Sequence, residues 1–207
     1  MRIAIIDSGI HPAHPHVGEV AGGVELSANG EGGDYIDRLG HGTAVAGAIL
    51  EKFPDAQLFA VKVFDQRLTA TIGVILQALQ WCRAHRIDLV NLSLGTANPA
   101  HRDGFLQVLG EDLLVVSAAS ALPGSLPQVI GVNADPDCPR DEFRYRDGAF
   151  HASPYPRPVP GVPIAHNLQG TSFAVANMTG LVARVLHSNG RAGIRDALIA
   201  GARGHAP

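Results

Sequence analysis

Short apolar runs alternate along the chain with stretches of small residues, a pattern that predicts buried parallel strands joined by crossover helices. Residues 2–6 (RIAII) read as a strand, 41–50 as a helix, 57–64 (QLFAVKVF) as a strand and 70–84 as a helix. IDLVNLSL at 87–94, LLVVSAA at 113–119 and QVIGVN at 128–133 supply further strands, the last two apolar enough to be covered on both faces. Helices are expected near 101–110, over 172–188 and over 192–200. The stretch 135–167 differs, because its prolines argue for an extended excursion with at most short strands. No internal repeat or linker divides the chain, so a single domain over 1–207 is expected, α/β in class, with a mainly parallel central sheet flanked by helices.

Composition narrows the function. With 207 residues, 46% hydrophobic and 17% charged, the chain can bury one sizeable core. A formal charge of -3 without a basic run leaves no footprint for nucleic acid or an anionic membrane surface, so neither is expected as a partner. Cys82 and Cys138 can pair, yet they equally suit free thiols in a reducing compartment. The opening MRIAIIDSG has too short an apolar run for a secretion signal, so a cytoplasmic location is expected.

The polar residues then fall into place. Asp7 ends the first strand, at the carboxyl edge where open parallel sheets put their ligands. His41 and Ser172 each stand at the mouth of a small-residue helix and can share one crevice with Asp7. Bland readings exist for both: a histidine at such a mouth is often a cap or a packed core residue, and serine is a favoured N-cap. Against them, Gly170 and Thr171 let the backbone approach closely before Ser172, and Ala174 and Ala176 leave room beside it. A carboxylate, an imidazole and a hydroxyl in one crevice can act as orienting group, base and nucleophile.

Four stretches together, AIIDSGI, GHGTAVAG, NLSLG and GTSFAVANMTG, resemble the subtilisin family of serine peptidases, with the Asp, His and Ser blocks in that family's order. The resemblance runs from residue 2 to about 188. It implies hydrolysis of peptide bonds without a cofactor, with Ser172 as nucleophile, His41 as general base and Asp7 fixing the imidazole. It also implies that Ser93, Leu94 and Gly95 pair with an extended polypeptide or peptide substrate through main-chain hydrogen bonds. A chain opening directly into its first strand leads to the expectation of a compact intracellular member without a propeptide, acting on a dedicated peptide.

The departures matter as much. Where the family carries an asparagine whose amide stabilises the oxyanion, this chain has Ser120 and Ala121. Losing that donor costs about 3 to 4 kcal/mol within this family, a hundredfold to a thousandfold in turnover. The Ser172 amide remains as an oxyanion donor, and the Ser120 hydroxyl is a substitute. Asn167 and Asn177 are assigned structural roles. The segment between Ala119 and Gln128 is short, so one pocket wall is expected to be open or completed by a partner chain. No metal site is expected: Asp135, Asp137, Asp141 and Glu142 fit no calcium loop and read as a solvated acidic turn, while His11, His14 and His16 read as a surface or substrate rim. Two alternatives to a peptidase stay open, a catalytically weak or inactive peptide-binding or scaffold protein and a hydrolase acting on esters or amides.

Overall fold

A computed structural model describes residues 1–64, 67–110, 112–163 and 166–203. Its strands are β1 (Arg2–Asp7), β2 (Val20–Ser27), β3 (Gly30–Gly32), β4 (Gln57–Lys62), β5 (Leu89–Leu92), β6 (Leu114–Ala118), β7 (Ile130–Ala134), β8 (Phe143–Arg146) and β9 (Ala149–Ala152). The helices are α1 (His41–Lys52), α2 (Ile72–Ala84), α3 (Arg102–Leu109), α4 (Thr171–Asn189) and α5 (Ile194–Gly201). All described strands join one sheet in the order β3-β2-β4-β1-β5-β6-β7-β9-β8. Its centre is parallel, and β3 and β8 add antiparallel edges.

Strict alternation within an all-apolar strand explains how the sheet feeds two cores. Ile3 and Ile5 of β1 point into the layer packed by α1, α4 and α5, whereas Ala4 and Ile6 point into the layer packed by α2 and α3. Because the side chains are all apolar, the run shows no polar face. Helix α4 is buried continuously from Phe173 to Ala183 and lies against α1, β5, β6, β7 and β9. Its alanines and Gly180 allow that approach: a Cβ on Gly180 would sit 2.7 Å from Lys52 Cβ and 2.9 Å from the Ile49 carbonyl oxygen.

One region departs from the sequence expectation and another gives it a definite form. β2 and β3 form within 20–32, a stretch whose glycines weaken a strand pattern. Here Gly23 is needed, since an added Cβ would meet the Ala60 carbonyl oxygen at 2.5 Å and the Tyr35 ring. Within the expected excursion, of which 164–165 lie outside the described residues, β8 and β9 form a hairpin. Its turn is Asp147-Gly148, both at positive φ (54° and 77°), the conformation favoured in tight hairpins. Of the acidic stretch beside it, Asp137 and Asp141 are exposed, as a solvated turn requires, but Asp135 is not. Asp135 is buried and pairs with Arg144 at 2.8 Å and Arg146 at 3.1 Å, while Glu142 pairs with Arg203 at 3.3 Å. Cys82 and Cys138 are buried free thiols, and burial pushes the Cys138 thiol up to about 11. Among the described residues no helix is long and apolar enough to cross a membrane.

Candidate active site

Asp7 ends β1 between β4 and β5, where the connections leave in opposite directions and open a crevice above the strand ends. Its side chain is fully buried, a costly position for a carboxylate unless hydrogen bonds replace water. Asp7 Oδ1 accepts the Ser8 N–H at 2.8 Å, the Ser8 hydroxyl at 3.2 Å and His41 Nδ1 at 2.7 Å. A carboxylate only accepts, so the ring proton sits on Nδ1 and Nε2 keeps its lone pair.

His41 is the first residue of α1 and caps nothing. The N-cap is Gly40, which has no side chain to offer. Asp37 does the capping instead: one oxygen accepts the Leu39 and Gly40 N–H groups, each at 2.9 Å, and the other accepts the Thr43 N–H at 2.9 Å and the Thr43 hydroxyl at 2.6 Å. Ser8 ties the same turn to β1 by accepting the Gly42 N–H at 2.9 Å. Gly42 permits this contact, because a Cβ there would stand 2.2 Å from the Gly9 carbonyl oxygen. Burial acts to lower the His41 pKa, but the hydrogen bond the imidazole donates to Asp7 and the charges of Asp7 and Asp37 outweigh it, so the ring binds its proton more tightly than an ordinary histidine.

Ser172 is the second residue of α4 and is likewise no cap; Gly170 is the N-cap, at φ 145° and ψ 179°. Gly170 is required there for that conformation and not for close approach, since a Cβ on it would meet nothing within 4 Å. Ser172 Oγ donates to the Ser93 carbonyl oxygen at 3.4 Å, and Ser93 Oγ donates to the Ser172 carbonyl oxygen at 3.3 Å. A polar chain runs on from there: Asn91 Nδ2 donates to Ser93 Oγ at 2.9 Å, and the Thr179 hydroxyl donates to Asn91 Oδ1 at 3.0 Å. The imidazole of His41 and the ring of Phe173, next to Ser172, lie 5.4 Å apart between centroids. The structure thus joins Asp7 to His41 directly and sets His41 against Phe173, the neighbour of Ser172, while the Ser172 hydroxyl is turned to Ser93.

Beyond β5, Thr96 pairs with Leu122 through hydrogen bonds of 2.9 Å in each direction, and a Cβ on Gly95 would lie 2.6 Å from the Leu122 carbonyl oxygen. The short 119–127 segment thus closes against its own chain, with Leu122 and Leu126 buried in the core. Among the described residues, Leu94 and Gly95 make no backbone hydrogen bond outside that contact. Ala121 presents a methyl group and gives its N–H to the Ala118 carbonyl oxygen at 3.3 Å. Ser120 is exposed. Asn177 Nδ2 donates to the Ser153 and Tyr155 carbonyl oxygens at 2.9 Å each, and Asn167 Nδ2 to that of Arg157 at 3.4 Å, which are structural ties. Among the described residues no group of acids, histidines and cysteines is placed to hold a metal ion.

The profile of the subtilase family matches residues 1–134. The chain belongs to the subtilase family. This subtilase is 28% identical to subtilisin E of Bacillus subtilis over 204 aligned residues, covering 87% of the chain. It is 38% identical to the minor extracellular protease Epr of Bacillus subtilis over 130 residues, covering 58% of the chain. It spans 52% of the length of the first and 20% of the second. In three dimensions it is similar to the crystal structure of a cold-adapted subtilisin-like serine proteinase, with a TM-score of 0.71 at 18% identity, over 95% of this chain and 79% of the other. Sequence inspection missed Ser8, Asp37 and Asn91 as supports of the site. Only Asp37 left a trace, as an acidic residue just ahead of a helix start.

Proposed function

We propose that the protein is a serine endopeptidase in which Asp7, His41 and Ser172 form the catalytic triad. The observation that carries this reading is the 2.7 Å bond from His41 Nδ1 to the buried Asp7 carboxylate, because it fixes the tautomer in which Nε2 can take a proton. Ser172 Oγ adds to the peptide carbonyl carbon as its proton passes to Nε2. The C–N bond then breaks and the leaving amine takes that proton; water repeats the sequence and releases the acid. The unpaired N–H of Ser172 in the first turn of α4 supplies one oxyanion donor, and the exposed Ser120 hydroxyl supplies the second. Leu94 and Gly95 offer free backbone groups to the acyl half of the substrate.

A second reading, a peptide-binding protein with little turnover, is favoured by the Ser172 hydroxyl being directed to the Ser93 carbonyl oxygen and by the methyl group of Ala121. Reaction with a fluorophosphonate, followed by intact-mass and peptide mapping, separates the two. A single adduct on Ser172, lost together with peptide cleavage in Ser172→Ala, is the expected result. Labelling that persists in Ser172→Ala puts the nucleophile elsewhere, and an unlabelled wild type favours the binding protein.

A further inference from the structure

One cavity, of about 490 Å³, opens beside the candidate triad. Gly40, Thr43 and Ala44 bring it against the first turn behind His41, and Asn167 and Leu168 bring it against the segment leading to Ser172. It includes none of Ser93, Leu94 and Gly95. On the triad reading, a peptide whose acyl half lies along those three residues leaves this cavity, bordered by the turn that carries His41 and the segment before Ser172, for its other half.

Its chemistry is mixed. Leu39, Val159 and Leu168 leave 39%, 39% and 47% of their surfaces exposed on its walls, enough apolar area to seat a hydrophobic side chain. Around them stand His11, His14, His16, Arg38 and Arg157. Of the acids nearby, Asp37 is committed to the turn before α1, Asp34 holds Arg38 at 2.6 Å and Glu51 pairs with Lys52 and Arg140, while Glu19 lines, with His16 and Arg157, the adjoining cavity. Arg157 makes no ion pair among the described residues, although half-buried in the proline-rich segment. Burial, and after it the charges of Arg157 and His14, hold the His16 pKa below its usual value against the opposing pull of Glu51.

We propose that this cavity receives the leaving-group side of the peptide and that Arg157 selects an acidic side chain there. The assignment of that side rests on the triad reading above. A guanidinium meets a carboxylate through two parallel hydrogen bonds, so a glutamate or aspartate gains both charge and geometry over glutamine, and lysine is repelled.

Direct binding to the intact protein tests this without requiring turnover. Fluorescein-labelled Leu-Glu-Ala-Glu, Leu-Gln-Ala-Gln and Leu-Lys-Ala-Lys are titrated by anisotropy into Ser172→Ala and into that variant carrying Arg157→Ala, Arg157→Glu or Arg38→Ala, with circular dichroism to verify folding. The expected result is at least about tenfold tighter binding of the acidic peptide over the lysine peptide, abolished by Arg157→Ala, reversed by Arg157→Glu and kept by Arg38→Ala. Equal binding of all three peptides, or a preference untouched by folded Arg157→Glu, overturns the proposal. Fluorophosphonate labelling of the parent chain separates the two failures. Labelling without a charge preference removes only the cavity assignment, whereas a preference without labelling keeps Arg157 as a selector of acidic peptides and removes the leaving-group role.

Discussion

The two halves of the crevice are built to different standards. Around Asp7 and His41, a buried carboxylate accepts three hydrogen bonds on one oxygen, Ser8 bridges strand to helix, and Asp37 fixes the turn that carries the imidazole. Around Ser172, the hydroxyl rests on the Ser93 carbonyl oxygen, and Ala121 nearby in the 119–127 segment offers only a methyl group. On the peptidase reading, the base is held before any substrate arrives, whereas the nucleophile and the oxyanion donors await one. The first half must hold a buried charge, which is costly without partners, whereas the second half is called upon only when charge develops on the substrate.

The strongest challenge to that contrast is Asp7→Asn. Losing the acceptor that holds Nδ1–H is expected to lower kcat about 10⁴-fold, the order found when such carboxylates are removed, with the Michaelis constant changing far less. Steady-state kinetics on a cleaved peptide check it, and a loss below tenfold would mean that His41 does not depend on this half. The weaker half is probed by Ser120→Ala, expected to cost about 10-fold to 1,000-fold in kcat, and by Ala121→Asn, expected to gain little while Ser120 serves. A gain of about tenfold from Ala121→Asn with Ser120→Ala silent would reverse that assignment.

Asp37→Ala should lower unfolding stability by about 1 to 3 kcal/mol, read by denaturant titration, because it strips partners from the first turn of α1. The smallest effect is on pH. His41 holds its proton more tightly than an ordinary histidine at 6.5, so the acid limb of kcat/KM should have its midpoint above that value. Asp37→Asn removes one of the raising charges and should move the midpoint down. The sign for stability is opposite to that for rate: a raised folded-state pKa means that protonated His41 favours the fold below the unfolded value, and that contribution is lost as pH climbs through the folded one.

The placement of Asp7 at a strand end and of His41 and Ser172 at helix starts was legible because such positions leave local marks: the end of an apolar run and glycines ahead of small-residue helices. The parallel strands and helices were legible for the same reason, as periodic burial on both faces of a sheet writes itself into consecutive residues. β2 was hidden because Gly22 and Gly23 answer to Phe59 and to Ala60 and Tyr35, neighbours distant in sequence. The β8–β9 hairpin carried a local mark, Asp147-Gly148, outweighed by the prolines on either side. Asp135 read as solvated because Arg144 and Arg146 reach it only once the hairpin folds back. The contact of Thr96 with Leu122 joins separate crossovers, and no local pattern announces it.

The strand order also sets a timetable. β1 precedes the other described strands in sequence yet takes its place between β4 and β5, and α4, which brings Ser172, follows all of them and packs across β5, β6, β7 and β9. Pairings between such distant segments are slow to form. A nascent chain therefore has Asp7 and His41 long before Ser172. On the peptidase reading, the ribosome and its attendants handle a polypeptide that cannot cut until its own sheet is complete.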